Sequence, residues 1–197
     1  MKFSKINRLD KPYFSCQDIS RAFGISSGSA RVAAARMVKA GEIIRLKRNH
    51  YILSQRWNSA SLEDRFALAN LLQVPSYISL LTALSYYEVT TQVQPGFIES
   101  VGLHRTKLID VQGNAFNYSK INKKLYFGFV RLKGFFIADP EKAFLDAIYL
   151  KSLKKYNFDL TSLDLGKLDL DKIKRLSAQY PPLTRGLLKK YGITASA

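Results

Sequence analysis

From Ser27 to Lys39 the chain sets small side chains and cations at helical spacing, the pattern of a surface that approaches DNA. Ala30, Ala33, Ala34 and Met37 fall at i, i+3, i+4 and i+7, an apolar stripe for one helix face. The opposite face carries Ser29, Val32, Ala35, Arg36 and Lys39, with Arg31 on its flank. Small groups let a helix enter a major groove, and Val32 and Ala35 suit thymine methyl groups. Arg31, Arg36 and Lys39 can reach guanine edges or phosphates. Ser27 and Ser29 read first as helix caps and second as phosphate contacts.

The neighbouring elements must position that face. Ser15 to Gly24 reads as a short helix with Ser15 as N-cap, Asp18 three residues on and Gly24 as the stop. A Ser/Gly-rich turn follows, and the second helix runs to about Ala40, before Gly41. Ile43–Leu46 and Tyr51–Leu53 are strand-like and flank a polar loop, Lys47-Arg-Asn-His50, in which Asn49 tolerates a left-handed turn. Two helices and a basic hairpin make a winged helix-turn-helix pattern, with Arg45, Lys47, Arg48 and Asn49 on the wing. A basic helix face alone is often only solvated. Here the hairpin is basic too, and DNA binding is the expectation. His50 and Cys16 read as structural.

Charge is distributed in the same way. The chain has 197 residues with 31 Lys+Arg against 15 Asp+Glu, net +16. Residues 1–56 carry +9, residues 57–104 carry −3, residues 105–133 carry +6 and the remainder +4. The apolar fraction of 47%, with 12 Phe and 11 Tyr, supports a packed core and argues against disorder. No apolar run reaches a membrane span, and the basic N-terminus lacks the apolar stretch of a secretory signal. One Cys excludes an internal disulfide framework, and two His leave too few ligands for a Cys/His zinc site. A cytoplasmic protein without cofactor or metal is expected.

The boundary falls at Ser54–Ala60, giving residues 1–58 as one domain and 59–197 as the other. Ser61–Asp64 opens a helix in a capping-box pattern, and a second helix starts near Ser79. Five strand-like runs follow: Phe97–Leu103, Lys107–Val111, Phe116–Ile121, Leu125–Val130 and Gly134–Ala138. Asp139 reads as an N-cap, Pro140 as N1 and Glu141 as a first-turn acid of a helix burying Phe144, Leu145, Ile148 and Tyr149. Two more helices, about Asp169–Tyr180 and Pro182–Lys190, end the chain. The expected class is α+β: a winged helix-turn-helix, then a mixed α/β domain with a β-rich core at about 97–138 and a helical tail at 140–191.

The basic wing ending in Tyr51, the run Tyr77-Ile-Ser-Leu-Leu-Thr-Ala-Leu-Ser-Tyr-Tyr87 and the run Ile137-Ala-Asp-Pro-Glu-Lys-Ala-Phe-Leu-Asp146 appear in an order that resembles the AbiEi-type antitoxin family. The resemblance covers about residues 10–155. It departs at Arg48-Asn49-His50-Tyr51, where the family commonly has Arg-Gly before the Tyr, and at Glu88, where Gly often follows Tyr-Tyr. It implies a type IV toxin–antitoxin (abortive infection, phage defence) regulator. Its winged helix would bind inverted repeats in double-stranded DNA of its own promoter, with two protomers on a palindrome. Its C-terminal domain would counter a nucleotidyltransferase-like toxin. The alternative is a winged-helix transcription regulator whose second domain senses a ligand or dimerises.

No phosphate-binding loop or dinucleotide fingerprint is present, and an enzyme is not expected. Glu99 and Asp110-Val-Gln112 on successive strand-like runs faintly echo metal-dependent nucleases, but the Lys such sites place after the second acid is missing. Asp169-Leu-Asp171 has metal-site spacing and is explained by capping a helix.

Overall fold

The computed structural model describes residues 11–92 and 95–193, and the chain forms two compact units, Met1–Asp64 and Arg65–Ala197. Both contain helices and sheet, so the class is α+β.

In the first unit, Phe14 and Tyr51 form an antiparallel bridge, with N–H to O=C distances of 2.9 and 2.8 Å. Helix α1 (Cys16–Phe23) opens with a reciprocal capping box. The Asp18 N–H donates to Ser15 Oγ, and the Ser15 N–H donates to Asp18 Oδ2 at 2.8 Å. Lys11 pairs with the same carboxylate, and that hydrogen bond holds the Asp18 pKa down at about 2. Gly24 ends α1 at φ 66°, the left-handed conformation that satisfies a helix C-terminus. Helix α2 (Ser27–Lys39) follows. Its Ala30, Ala34 and Met37 are buried against Phe14, Cys16, Ile19 and Ile43, the stripe read from the sequence. Strands β1 (Ile43–Lys47) and β2 (His50–Leu53) pair antiparallel around a two-residue turn. Helix α3 (Ser54–Asn58) buries Trp57. Helix α4 (Leu62–Leu72) starts with a Ser61–Asp64 box and runs on into the second unit.

The second unit is built on a six-stranded sheet. Its strands are β3 (Ser76–Ile78), β4 (Phe97–Gly102), β5 (Lys107–Val111), β6 (Asn114–Lys120), β7 (Phe129–Leu132) and β8 (Phe135–Ala138). The order is β5-β6-β4-β3-β8-β7, with β4/β6 and β3/β8 parallel and the other pairs antiparallel. Two expectations are corrected. The run Leu125–Val130 divides into a 3-10 turn at Lys123–Leu125 and β7. The stretch Ser76–Ile78, passed over in the sequence, is an inner strand; all three residues are buried, so it has no alternation to read.

Helix α5 (Leu80–Tyr86) leaves β3 after one residue. Glu88 adopts φ 58° just after it, a left-handed stop made without Gly. Helix α6 (Pro140–Ser152) packs against α5, β8, α7 (Leu170–Ser177) and α8 (Pro182–Lys190). Glu141 to Leu150 are therefore buried without interruption, not only the expected Phe144, Leu145, Ile148 and Tyr149 face. Pro140 sits in the first turn as read, but the Asp139 side chain makes no cap bond. It lies 3.4 Å from Lys172, which also pairs with Glu141 at 2.8 Å and thereby ties α7 to α6. Asp169 caps α7 through the Lys172 N–H, as its spacing predicts.

The burial of α6 encloses an ion pair. Lys142 and Asp146 are both fully buried and bonded one turn apart. Tyr77 Oη and Ser79 Oγ each donate to Asp146 Oδ2 at 2.9 Å, and Lys142 Nζ donates to Tyr180 Oη at 2.9 Å. The Lys142 ammonium also lies over the Phe127 ring, 4.9 Å from its centroid. Burial lowers the Lys142 pKa and Asp146 opposes that shift, while burial pushes the Tyr77 and Tyr180 hydroxyls well up. Gly128 makes room: a Cβ there would sit 3.1–3.2 Å from the Lys142 stem.

Breaking a buried pair leaves one charge stranded, which costs about 3–5 kcal/mol. Asp146→Ala is expected to lower the unfolding free energy by that much in denaturant titration. Lys142→Met combined with Asp146→Asn should cost less than Asp146→Ala alone. A single variant within about 1 kcal/mol of the native protein contradicts the assignment.

Candidate nucleic-acid interface

The exposed face of α2 follows from its buried one. With Ala30, Ala34 and Met37 committed to the core, the 3.6-residue repeat turns Ser27, Ser29, Arg31, Val32, Ala35, Arg36 and Lys39 outward, and all are exposed. Val32 is 51% exposed, a large apolar side chain left in water in the middle of this face. The helix begins earlier than its stripe. Ser26, not Ser27 or Ser29, is the N-cap, accepting from the Ser29 N–H at 3.2 Å and donating to Ser29 Oγ at 3.0 Å. Ser27 and Ser29 occupy the first turn, where backbone N–H groups and the helix dipole favour an anion.

The hairpin places its charges unequally. Arg45 and Arg48 are exposed. Lys47 lies at the register shift of β1, half-buried, and desolvation lowers its pKa. Among the described residues, Arg31, Arg36, Lys39, Arg45 and Arg48 form no ion pair, so their charge faces solvent.

Asn49 is tied into the unit. It adopts φ 60°, as the sequence allows, but its side-chain oxygen accepts from the Cys16 N–H at 2.9 Å. That oxygen caps a first-turn donor of α1 and pins the turn to that helix. Asn thus supplies both the left-handed backbone and a cap. Cys16 is buried with its sulfur 3.8 Å from Tyr51 Oη, and His50 Nδ1 lies 3.0 Å from the Arg48 carbonyl; both are packing partners.

The acids weighed as a metal site are not brought together. Glu99 lies on β4 and Asp110 on β5, with β6 between them. Glu99 is buried, whereas Asp110 is exposed and accepts from the Gly113 N–H at 3.3 Å. Among the described residues no three His, Cys, Asp or Glu are grouped to hold a metal ion, and no helix is long and apolar enough to cross a membrane.

The Asn49 tether has a measurable consequence. Asn49→Ala loses one cap bond and sets a non-glycine, non-Asn residue at positive φ, costing roughly 2 kcal/mol in all. Asn49→Gly should lose about half of that. Trp57, the single Trp and buried in this unit, reports the unfolding by fluorescence. Native stability in Asn49→Ala contradicts the tether.

No family model matches the chain, and no curated protein matches its sequence. The fold is similar to that in the crystal structure of the RV2827C protein from Mycobacterium tuberculosis, with a TM-score of 0.62 and 13% identity over 98% of this chain and 76% of that one. At this identity the likeness is one of fold.

Proposed function

We propose that the chain is a winged-helix autorepressor and antitoxin of a toxin–antitoxin operon. The observation that carries the DNA part is the outer face of α2: small residues and exposed Val32 among the exposed cations Arg31, Arg36 and Lys39. A two-stranded hairpin with exposed Arg45 and Arg48 belongs to the same unit. A helix of that chemistry suits a major groove, and a cationic hairpin suits the flanking backbone. The Phe14–Tyr51 bridge, α1, α2 and hairpin follow the element order of a winged helix. The target is duplex DNA with an inverted repeat, read by two protomers. The antitoxin part rests on the resemblance in Tyr77–Tyr87 and Ile137–Asp146, with a nucleotidyltransferase-like toxin as the counterpart and the cytoplasm as the place of action. Both runs supply residues to the buried ion-pair cluster, so within this reading they are a fold signature and the toxin-directed surface lies elsewhere on residues 59–197.

Two experiments test the parts separately. Binding to the repeat upstream of the gene is followed by anisotropy over a salt series. Arg36→Ala or Lys39→Ala is expected to cost about 1–3 kcal/mol with relaxed specificity if the side chain reads a base, or to lower the salt slope by about one if it holds a phosphate. Unchanged affinity and slope in both removes α2 as the recognition element. Co-expression with the downstream neighbour tests the other part: residues 59–197 should relieve its toxicity without the first unit. A harmless neighbour, or toxicity unrelieved by the full chain, rejects the antitoxin reading.

A further inference from the structure

Helix α8 carries a glycine that its own packing does not require. Gly186 lies in the middle of Pro182–Lys190, and a Cβ there would meet nothing within 4 Å. Gly is among the poorest helix formers, so Ala at this position would strengthen the helix without a clash. What Gly186 supplies is open space against the helix backbone, and that space belongs to a cleft.

The way α8 ends builds the cleft. Gly192, at φ 75°, donates its N–H to the Lys189 carbonyl at 3.0 Å, and the Ile193 N–H donates to the Leu188 carbonyl at 3.0 Å. This paired closure folds the residue after the glycine back onto the last turns of the helix. Leu188 and Ile193, both buried, join Pro182 and the Ser177 end of α7 to line a cleft of about 370 Å³. Leu183, one turn before Gly186, is 59% exposed. Arg185 and Lys189 also line the cleft, and both are exposed. They stand one turn apart, a spacing at which like charges repel. Among the described residues neither pairs with an acid, and no acid or aromatic ring lines the cleft.

These features select an occupant. Two unopposed cations call for anionic groups, and the apolar lining with bare backbone at Gly186 calls for an aliphatic side chain. Nucleic acid brings phosphates without the aliphatic group, and its bases would find no ring to stack on. A peptide that sets acids around an aliphatic residue brings both. We propose that the α8 cleft docks an acidic segment of a protein partner, with an aliphatic side chain seated over Gly186 and carboxylates facing Arg185 and Lys189. Exposed ion pairs add little affinity, so the aliphatic anchor supplies most of the binding and the cations select for acidic neighbours. The cleft lies beyond residue 155, outside the stretch that resembles the antitoxin family, so the docking stands or falls apart from that reading.

Amide NMR of the full chain, titrated with a short end-blocked peptide that sets one Leu between pairs of Asp and Glu, tests this. Saturable shifts are expected at 185–189 and 193, about ten-fold tighter than with Ser in place of the Leu. Gly186→Leu, which fills the seat, should abolish them, and so should Arg185→Glu combined with Lys189→Glu. Gly186→Ala should melt no lower than the native chain; a lower melting temperature gives the glycine a packing role and overturns its assignment. Equal affinity for the Ser peptide overturns the anchor, and undiminished binding in Gly186→Leu overturns the seat. Should Gly186→Leu not fold, the charge reversal and the Ser peptide decide. No shift at millimolar peptide overturns the docking as a whole. Duplex DNA that moves these amides at lower concentration assigns the cleft to nucleic acid, and self-association lost in Gly186→Leu assigns it to a second copy; either result rejects the peptide.

Discussion

The Lys142–Asp146 pair fixes how the second unit is assembled. It sits one turn apart on a helix whose residues 141 to 150 are all buried, and every group it needs comes from elsewhere in the chain. Tyr77 and Ser79 bring the end of β3, Tyr180 brings the segment after α7, and Phe127 brings the approach to β7. A buried charge cannot be left unpaired without a cost comparable to much of a domain's stability, so these elements must meet together or not at all. The pair works as a specification of register and partner more than as a source of net stability. An apolar pair would fill the same space without demanding those particular hydroxyls.

The same logic, on a smaller scale, shapes the first unit. Backbone donors at the start of α1 are answered by Ser15, Asp18 and Asn49, and the last of these comes from the hairpin turn 33 positions away. One polar bond thus links the short helix to the hairpin, while Ala30, Ala34 and Met37 hold α2 on the shared core. What is left over, Arg31, Val32, Arg36 and Lys39 on the outer face of α2 and the two hairpin arginines, is exposed and takes no part in that core.

Local signals were legible in the sequence and tertiary ones were not. The Ser15 box, the Gly24 stop, the Asp169 cap and the bounds of Lys107–Val111 each follow from residues within a few positions of one another. Ser26, Ser27 and Ser29 cluster at the start of α2, and which of them caps depends on where the helix starts. Strand β3 is three residues long and buried on both sides, so it carries no period. The ion-pair cluster joins residues 38 and 69 positions apart, and only Lys142 and Asp146, one turn apart on a largely apolar helix, hinted at it. Asn49 and Glu88 both hold left-handed backbone without being Gly, and each ends its turn there.

The proposed meeting of DNA with the outer face of α2 and the hairpin is open to a direct test. Amide and side-chain NMR of the full chain, titrated with duplex DNA from the region upstream of its gene, tests it most directly. Shifts should concentrate on Ser27, Ser29, Arg31, Val32, Arg36 and Lys39 with Arg45 and Arg48, leaving the buried Ala30, Ala34 and Met37 little changed. Saturating binding with that face silent, and the largest shifts confined to residues 65–193, would contradict it.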